Sequence, residues 1–172
     1  IDYNVDLNSK KINETLILIS ETNKNNAEKE TSKKNSQIFP VIGCVGAGDY
    51  ASKTLLPAFK IRGIDFNTIV STGSLKSLRL AKEYNFNKIS TDFSEILNNK
   101  VINTVIIATN HNEHASEVIE SLNNNKNIFV EKPLCLNKNE LSLIKEAYKK
   151  SINIKLMVGF NRRFSPLVSK VN

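Results

Sequence analysis

From residue 38 onward, short apolar runs alternate along the chain with segments whose apolar positions recur every three or four residues. The runs have the length of buried β-strands, and the segments have the period of amphipathic helices. The runs predict strands at residues 38–45, 66–71, 88–90, 104–108, 127–131 and 154–158, and the segments predict helices at residues 49–62, 74–84, 92–98, 114–124 and 137–151. Pro57 lies inside the first helix, where its missing N–H predicts a kink. Regular strand–helix alternation predicts right-handed βαβ units, and hence a doubly wound, mostly parallel α/β sheet.

The first 37 residues have a different texture, because they are mostly Asn, Lys, Glu, Ser and Thr. Their one apolar run, at residues 16–19, predicts a lone strand, and residues 21–37 have so little to bury that they predict a flexible linker. We therefore expect residues 1–37 to be a polar linker or the tail of an upstream module, and residues 38–165 to be one folded domain. The pattern stops partway, so we expect residues 166–172 to begin a further domain of a longer protein.

A glycine-rich motif joins the first strand of this domain to its first helix. Gly46, Ala47, Gly48, Asp49, Tyr50 and Ala51 fit the pattern G-x-G-x-x-A. Between a strand and a helix, the first glycine permits a tight turn, the second lets the backbone approach a pyrophosphate, and the alanine keeps the helix close to the sheet. The helix N-terminus then offers free N–H groups to the phosphates. The motif predicts a dinucleotide-binding site, and the alternative is a tight turn with no ligand.

The end of the second strand bears on which dinucleotide is bound. An NAD site usually has Asp or Glu here to hold the ribose hydroxyls. This strand instead ends in Ser71, Thr72 and Gly73, with Lys76 and Arg79 close behind. Hydroxyl and cationic groups suit a phosphate, so the pattern favours NADP over NAD as the cofactor. The alternative is that Gly73 shapes a turn and Lys76 is a solvated helix residue.

Two further groups of polar residues follow the fourth and fifth strands of the domain. The first group is Ala108, Thr109, Asn110, His111 and His114, and the second is Glu131, Lys132 and Pro133. Ligands collect at the carboxyl ends of parallel strands, so both groups are candidates for the site. A lysine held beside Pro133 can hydrogen-bond a substrate hydroxyl and favour its alkoxide. The alternatives are a solvated His111, a His114 that fills the start of its helix, and a plain surface lysine.

Composition narrows the classes of partner. The formal charge is +7 and the pI is about 9.4, yet the lysines are scattered and no aromatic residue interleaves a basic run, which argues against nucleic acid. Cys44 and Cys135 have no neighbours at metal-ligand spacing, so we expect no metal site. Two free thiols fit a reducing, cytoplasmic compartment. No apolar run is long enough for a bilayer, so we expect no membrane partner.

Taken together and in this order, three motifs resemble the glucose–fructose oxidoreductase/inositol dehydrogenase (Gfo/Idh/MocA) family of NAD(P)-dependent oxidoreductases. They are the glycine motif, the loop that starts at Thr109, and Glu131-Lys132-Pro133, and the likeness covers roughly residues 38–166. The resemblance implies an NAD(P)-binding Rossmann domain in a protein that transfers hydride between the nicotinamide and a sugar or cyclitol hydroxyl. It implies that Lys132 contacts that hydroxyl and that Glu131 and Pro133 flank the nicotinamide. It also implies that the loop residues Thr109 to His111, together with His114, line the cofactor site.

The chain departs from the family pattern in two places. The family's Thr-Pro is Thr109-Asn110 here, which puts the loop geometry in question. The family's acid/base histidine belongs to a C-terminal domain beyond Asn172, so we expect this chain to bind cofactor without turnover. A homo-oligomer of the full-length protein stays open, because family members commonly associate through that domain.

Residues 46–51, 71–73 and 158–166 resemble a subgroup fused behind an alcohol-dehydrogenase-like module, in which residues 16–19 would close the upstream module. Two other classes stay open for the chain as a whole. One is a non-catalytic dinucleotide-binding regulatory or scaffold module, and the other is a methyl-donor-binding domain. Lys132 separates the enzyme from the regulatory module, because a domain that only binds a dinucleotide has no need of a lysine at the nicotinamide end. A methyl-donor-binding domain would usually have an acidic residue after the second strand, and it leaves Glu131-Lys132-Pro133 unexplained.

Overall fold

The computed structural model describes residues 15–17, 39–73 and 75–170. Within them, one sheet contains β1 (Thr15–Ile17), β2 (Val41–Val45), β3 (Asp65–Val70), β4 (Lys88–Ser90), β5 (Thr104–Ile107), β6 (Asn127–Glu131) and β7 (Leu156–Gly159), in the order β1-β4-β3-β2-β5-β6-β7. Strands β2 to β7 are parallel, and β1 pairs antiparallel with β4. The predicted doubly wound α/β fold is confirmed.

The connections between the strands are helical. They are a π-helical turn (Ala51–Leu55) leading into α1 (Leu56–Ile61), then α2 (Leu75–Glu83), α3 (Ser94–Leu97), α4 (His114–Asn123) and α5 (Lys138–Lys150), and after β7 a 3₁₀ turn (Asn161–Phe164) and α6 (Pro166–Ser169). The predicted elements are all present with ends shifted by a few residues. No helix in the described part of the chain is both long and apolar enough to cross a bilayer.

The predicted strand at residues 16–19 corresponds to β1, which forms an edge of this same sheet. The predicted linker at residues 21–37 lies outside the described residues, as do residues 1–14. The proposed boundaries of the tail, the Rossmann domain and the following segment therefore stay predictions.

Alternating side chains along the strands build two buried clusters, one on each face of the sheet. On one face, Val45, Val105 and Ile107 pack with apolar residues of α3, α4 and α5. On the other, Cys44 and Ile106 pack with residues of α1 and α2. Because helices cover both faces of the sheet, a ligand site is expected at the ends of the strands.

The wide turn at the start of α1 has a local cause in Pro57. Proline has no N–H to donate to the carbonyl four residues earlier, so the regular ladder is interrupted there. The N–H of Leu56 instead donates to the carbonyl of Ala51, five residues back. The irregularity lies directly behind the glycine motif, so the start of this helix is not a regular α-helical turn.

A buried cation holds the opposite end of the sheet together. The side chain of Lys126 is only 5% exposed. Its Nζ donates to the carbonyl oxygens of Asn99 and Ile102, at 2.7 and 2.8 Å. These bonds tie the turn after α4 to the segment that leads into β5, and so fix where β5 begins.

We predict that Lys126→Met lowers the free energy of unfolding by about 1–3 kcal/mol, because two buried carbonyl oxygens lose their donor. Urea unfolding followed by circular dichroism measures the change. The matched control is Lys145→Met, which alters an exposed lysine of α5 and should leave the stability almost unchanged. Equal stabilities for the two variants would contradict the role given to Lys126.

Candidate functional site

A cavity of about 610 Å³ opens at the carboxyl ends of β2, β3 and β5. This volume is typical of pockets for small ligands and cofactors. Eight of the predicted site residues line it: Gly46, Ala47, Gly48, Ser71, Thr72, Ala108, Thr109 and Asn110. Three motifs that are far apart in sequence therefore form one wall.

Gly46 is the residue on which the turn after β2 depends. Its φ is +95°, and a Cβ built on it would lie 2.3 Å from the carbonyl oxygen of Ala108. Its N–H donates to the Val70 carbonyl at 2.9 Å, while the N–H of Ala108 donates to the Val45 carbonyl at 2.9 Å. The ends of three strands are thus held together in a way that only glycine permits at this position.

Gly48 and Ala51 are the other two small residues that the glycine motif specifies. A Cβ on Gly48 would meet only the Ala108 oxygen, at 3.9 Å, so the backbone here faces open space in the cavity. Ala51, the first residue of the π-helical turn, is 1% exposed. Together they form a cradle that a pyrophosphate can approach closely, with the helix start beside it.

The end of β3 supplies a polar group without a partner. The Ser71 Oγ is buried and makes no hydrogen bond to any described residue. Its backbone N–H donates to the Ser90 carbonyl, which fixes the residue at the cavity wall. A buried hydroxyl left unbonded is costly, and a ligand in the cavity can satisfy it. The site therefore fits a dinucleotide.

The cations predicted to assist a phosphate are engaged elsewhere. The Lys76 Nζ bonds Asp49 Oδ1 at 2.5 Å, and the Lys53 Nζ bonds Asp49 Oδ2 at 2.9 Å. These hydrogen bonds, that of Lys76 first, lower the pKa of Asp49 to about 2. On the exposed side of α2, Arg79 Nε lies 3.8 Å from Glu83 Oε2. The case for NADP therefore depends on the hydroxyls of β3 more than on these cations.

Other predicted residues lie away from the cavity wall: Asp49, Tyr50, Ala51, Gly73, His111, His114, Glu131, Lys132 and Pro133. The ring of His114 is completely buried behind the loop. Its Nδ1 lies 2.7 Å from the Pro133 carbonyl oxygen, and its Nε2 lies 3.2 Å from that of Thr109. His114 therefore supports the cofactor loop from behind. His111 is exposed on the loop surface.

Glu131 is the last residue of β6, which pairs with β5, and Lys132 follows it directly. A Cβ on Gly159 of β7 would lie 2.6 Å from Glu131 Oε1, so the glycine makes room for this carboxyl group. Glu131 Oε1 is buried without a partner among the described residues, and burial raises the pKa of the group. The Lys132–Pro133 peptide bond is cis, and the Lys132 side chain is exposed.

Sequence reasoning missed Glu117, which lies on the cavity wall. Its Oε2 accepts a hydrogen bond from Thr109 Oγ1 at 2.6 Å. A weak signal was available, because residues three apart share a helix face and Glu117 follows His114 by three. Cys44, by contrast, is buried, and burial raises the pKa of its thiol to about 12, which leaves it unreactive.

A comparison with known protein families shows which family has this arrangement of motifs. The profile of the Gfo/Idh/MocA family, described as an oxidoreductase family with an NAD-binding Rossmann fold, matches residues 41–160. The chain belongs to this family. The Gfo/Idh/MocA resemblance drawn from the three motifs is confirmed, and so is the expectation of an NAD(P)-binding Rossmann domain.

Relatives in the family include oxidoreductase P35 of Formosa agariphila, 30% identical over 130 residues that are 75% of this chain and 40% of that protein. Scyllo-inositol 2-dehydrogenase (NAD(+)) of Bacillus subtilis is 32% identical over 126 residues, 73% of this chain and 36% of that protein. The chain thus spans well under half the length of these curated relatives.

Two solved structures have the same fold. Levoglucosan dehydrogenase, in complex with NADH and levoglucosan, matches with a TM-score of 0.66 and 26% identity over 75% of this chain and 37% of that one. A 3-ketoreductase from Actinomadura kijaniata, in complex with TDP-benzene and NADP, matches with a TM-score of 0.70 and 19% identity over 77% and 42%.

We predict that Gly46→Ala destabilises the chain more than Gly63→Ala does. Gly63 also has a positive φ, +66°, but a Cβ there meets no atom within 4 Å. The control, Gly63→Ala, should lower the free energy of unfolding by about 1 kcal/mol, because alanine disfavours this backbone conformation. Gly46→Ala adds the overlap with Ala108 and should cost at least about twice as much. Urea unfolding compares the two variants. Equal losses of stability would show that the Ala108 backbone shifts at little cost and would contradict the prediction.

Proposed function

We propose that this chain is the cofactor-binding part of an oxidoreductase that transfers hydride between a nicotinamide dinucleotide and a hydroxyl of a sugar or cyclitol. The observation that carries the proposal is the single cavity lined both by the Gly46–Gly48 cradle and by Ser71, whose hydroxyl is unbonded. The inositol and levoglucosan dehydrogenases among its relatives support the substrate class. Two unpaired cysteines support a reducing compartment such as the cytoplasm.

Each motif has a distinct task in this proposal. The backbone at Gly46 and Gly48 and the adjoining helix start receive the pyrophosphate. The hydroxyls of Ser71 and Thr72 donate hydrogen bonds to the adenosine ribose or its 2′-phosphate. A nicotinamide held here would supply the hydride chemistry, and the chain's residues would hold it and the substrate in place.

Lys132 is the residue that gives the site a catalytic character. It follows β6 at the same sheet edge as the cofactor cradle, and its exposed ammonium is free to reach a substrate. An ammonium donating to the substrate hydroxyl oxygen stabilises the negative charge that develops there as hydride leaves the carbon. Glu131 and Pro133 flank it, and His114 fixes the position of Pro133 through its carbonyl group.

Titration of the chain with NADPH and with NADH, followed by nicotinamide fluorescence, tests the cofactor assignment. We expect saturable binding of both, tighter for NADPH, because the end of β3 presents hydroxyls and no carboxylate. Tighter binding of NADH would keep the Rossmann assignment and discard the phosphate argument. Absence of binding in a folded sample would contradict the proposal.

Ser71→Ala should separate ligand binding from stability. Because Ser71 Oγ bonds no described residue, its removal should leave the unfolding midpoint unchanged or slightly raised. Loss of one ligand hydrogen bond should weaken dinucleotide affinity about fivefold. The same fluorescence titration measures the change, and unchanged affinity would remove Ser71 from the site.

Lys132→Ala should abolish most of the turnover of the full-length protein while keeping cofactor affinity. A fall in kcat of about a hundredfold or more is expected from the loss of one donor to developing oxygen charge. Lys138→Ala, at an exposed position of α5, is the matched control. Equal loss of NADPH binding would make Lys132 a cofactor ligand, and unchanged turnover would favour a non-catalytic module.

A further inference from the structure

Glu117 is a carboxyl group that the proposed hydride transfer does not use. It belongs to α4, is half-buried, and lies on the wall of the dinucleotide cavity. Its Oε2 accepts a hydrogen bond from Thr109 Oγ1 at 2.6 Å, which turns the carboxyl group toward the loop and fixes its position. Its other oxygen accepts no hydrogen bond from the described residues.

The charges around Glu117 disfavour its ionised form. Within residues 39–73 and 75–170, no lysine or arginine forms an ion pair with it. Glu120 lies on the same helix and Glu113 directly precedes it, the buried Cys44 thiol of β2 interacts with it only electrostatically, and the two ring nitrogens of His114 lie close to backbone carbonyl oxygens. Burial, opposed by the Thr109 hydrogen bond and reinforced by Glu113 and Glu120, raises the pKa of Glu117 to about 7.

A dinucleotide in this cavity adds to both effects. It excludes water from the wall, and its pyrophosphate brings negative charge to the same space, and each change disfavours a carboxylate. A group whose neutral form is favoured in the complex takes up a proton on binding. By linkage, binding is then tighter at low pH and weakens as pH rises.

We propose that Glu117 is a binding residue that works as a neutral acid, taking up one proton from solvent when the dinucleotide enters the cavity. The inference rests on the proposed function, because it needs a dinucleotide at this site. The new O–H bond forms on the oxygen that Thr109 does not contact. Neutral Glu117 then offers the ligand a hydrogen-bond donor where the free site has a negative charge.

Calorimetric titration with NADH in two buffers of different ionisation enthalpy tests the inference directly. NADH is the suitable probe because the 2′-phosphate of NADPH titrates near pH 6 and takes up protons itself. At pH 7.5, we expect the wild-type chain to take up roughly half a proton or more per NADH bound. Between pH 7 and 9 its Kd should rise, by at most about tenfold per pH unit.

Three variants locate the proton. Glu117→Gln should bind NADH without proton uptake and with a Kd that is flat from pH 6 to 9. Glu146→Gln, at an exposed position of α5 that does not affect the pKa of Glu117, should keep the wild-type uptake. Thr109→Val removes the hydrogen bond that favours the carboxylate, so the pH at which affinity begins to fall should move upward.

The outcomes separate this inference from the proposed function. Saturable binding of NADH by the wild-type chain with no proton uptake would overturn the inference alone. Uptake that persists in Glu117→Gln, or a pH profile that Thr109→Val does not move, would overturn it as well. Failure of folded wild-type chain to bind NADH at any pH would overturn the proposed function, and the inference with it.

Discussion

The close approach of the Gly46 backbone to the carbonyl group of Ala108 is the constraint on which the site depends. Because no Cβ fits between them, the chain leaving β2 passes directly over the end of β5. Hydrogen bonds from Gly46 to Val70 and from Ala108 to Val45 keep the three strand ends together. The cavity is the space left above them, and the glycine motif, the end of β3 and the loop after β5 reach it from three sides.

The features set by local patterns were predictable from the sequence, and those set by packing between elements were not. Alternating apolar runs determine the strands, and the need for glycine at position 46 follows from the turn, so the fold and the cradle could be predicted. The side chains of His114 and Glu117 depend on how α4 lies against the sheet. The pairing of Lys76 with Asp49 joins residues 27 positions apart, which no local pattern encodes.

The distribution of charge in the site is unlike that of the whole chain. The formal net charge is +7, yet no lysine or arginine is among the described residues of the cavity wall, where Glu113 and Glu117 are the charged groups. A phosphate here must be held by backbone N–H groups, the helix start and hydroxyls. Such donors stay uncharged near neutral pH, so the charge of the wall there depends on Glu117, whose pKa burial raises to about 7.

The two close contacts of the His114 ring make the imidazole a spacer between the loop that starts at Thr109 and the turn that follows Lys132. The ring is rigid, and its nitrogen atoms, on opposite sides, lie close to the carbonyl oxygens of Pro133 and Thr109. The distance between the two segments is therefore set by the width of one aromatic ring. The cofactor loop and the backbone beside Lys132 are thus connected through a single buried side chain.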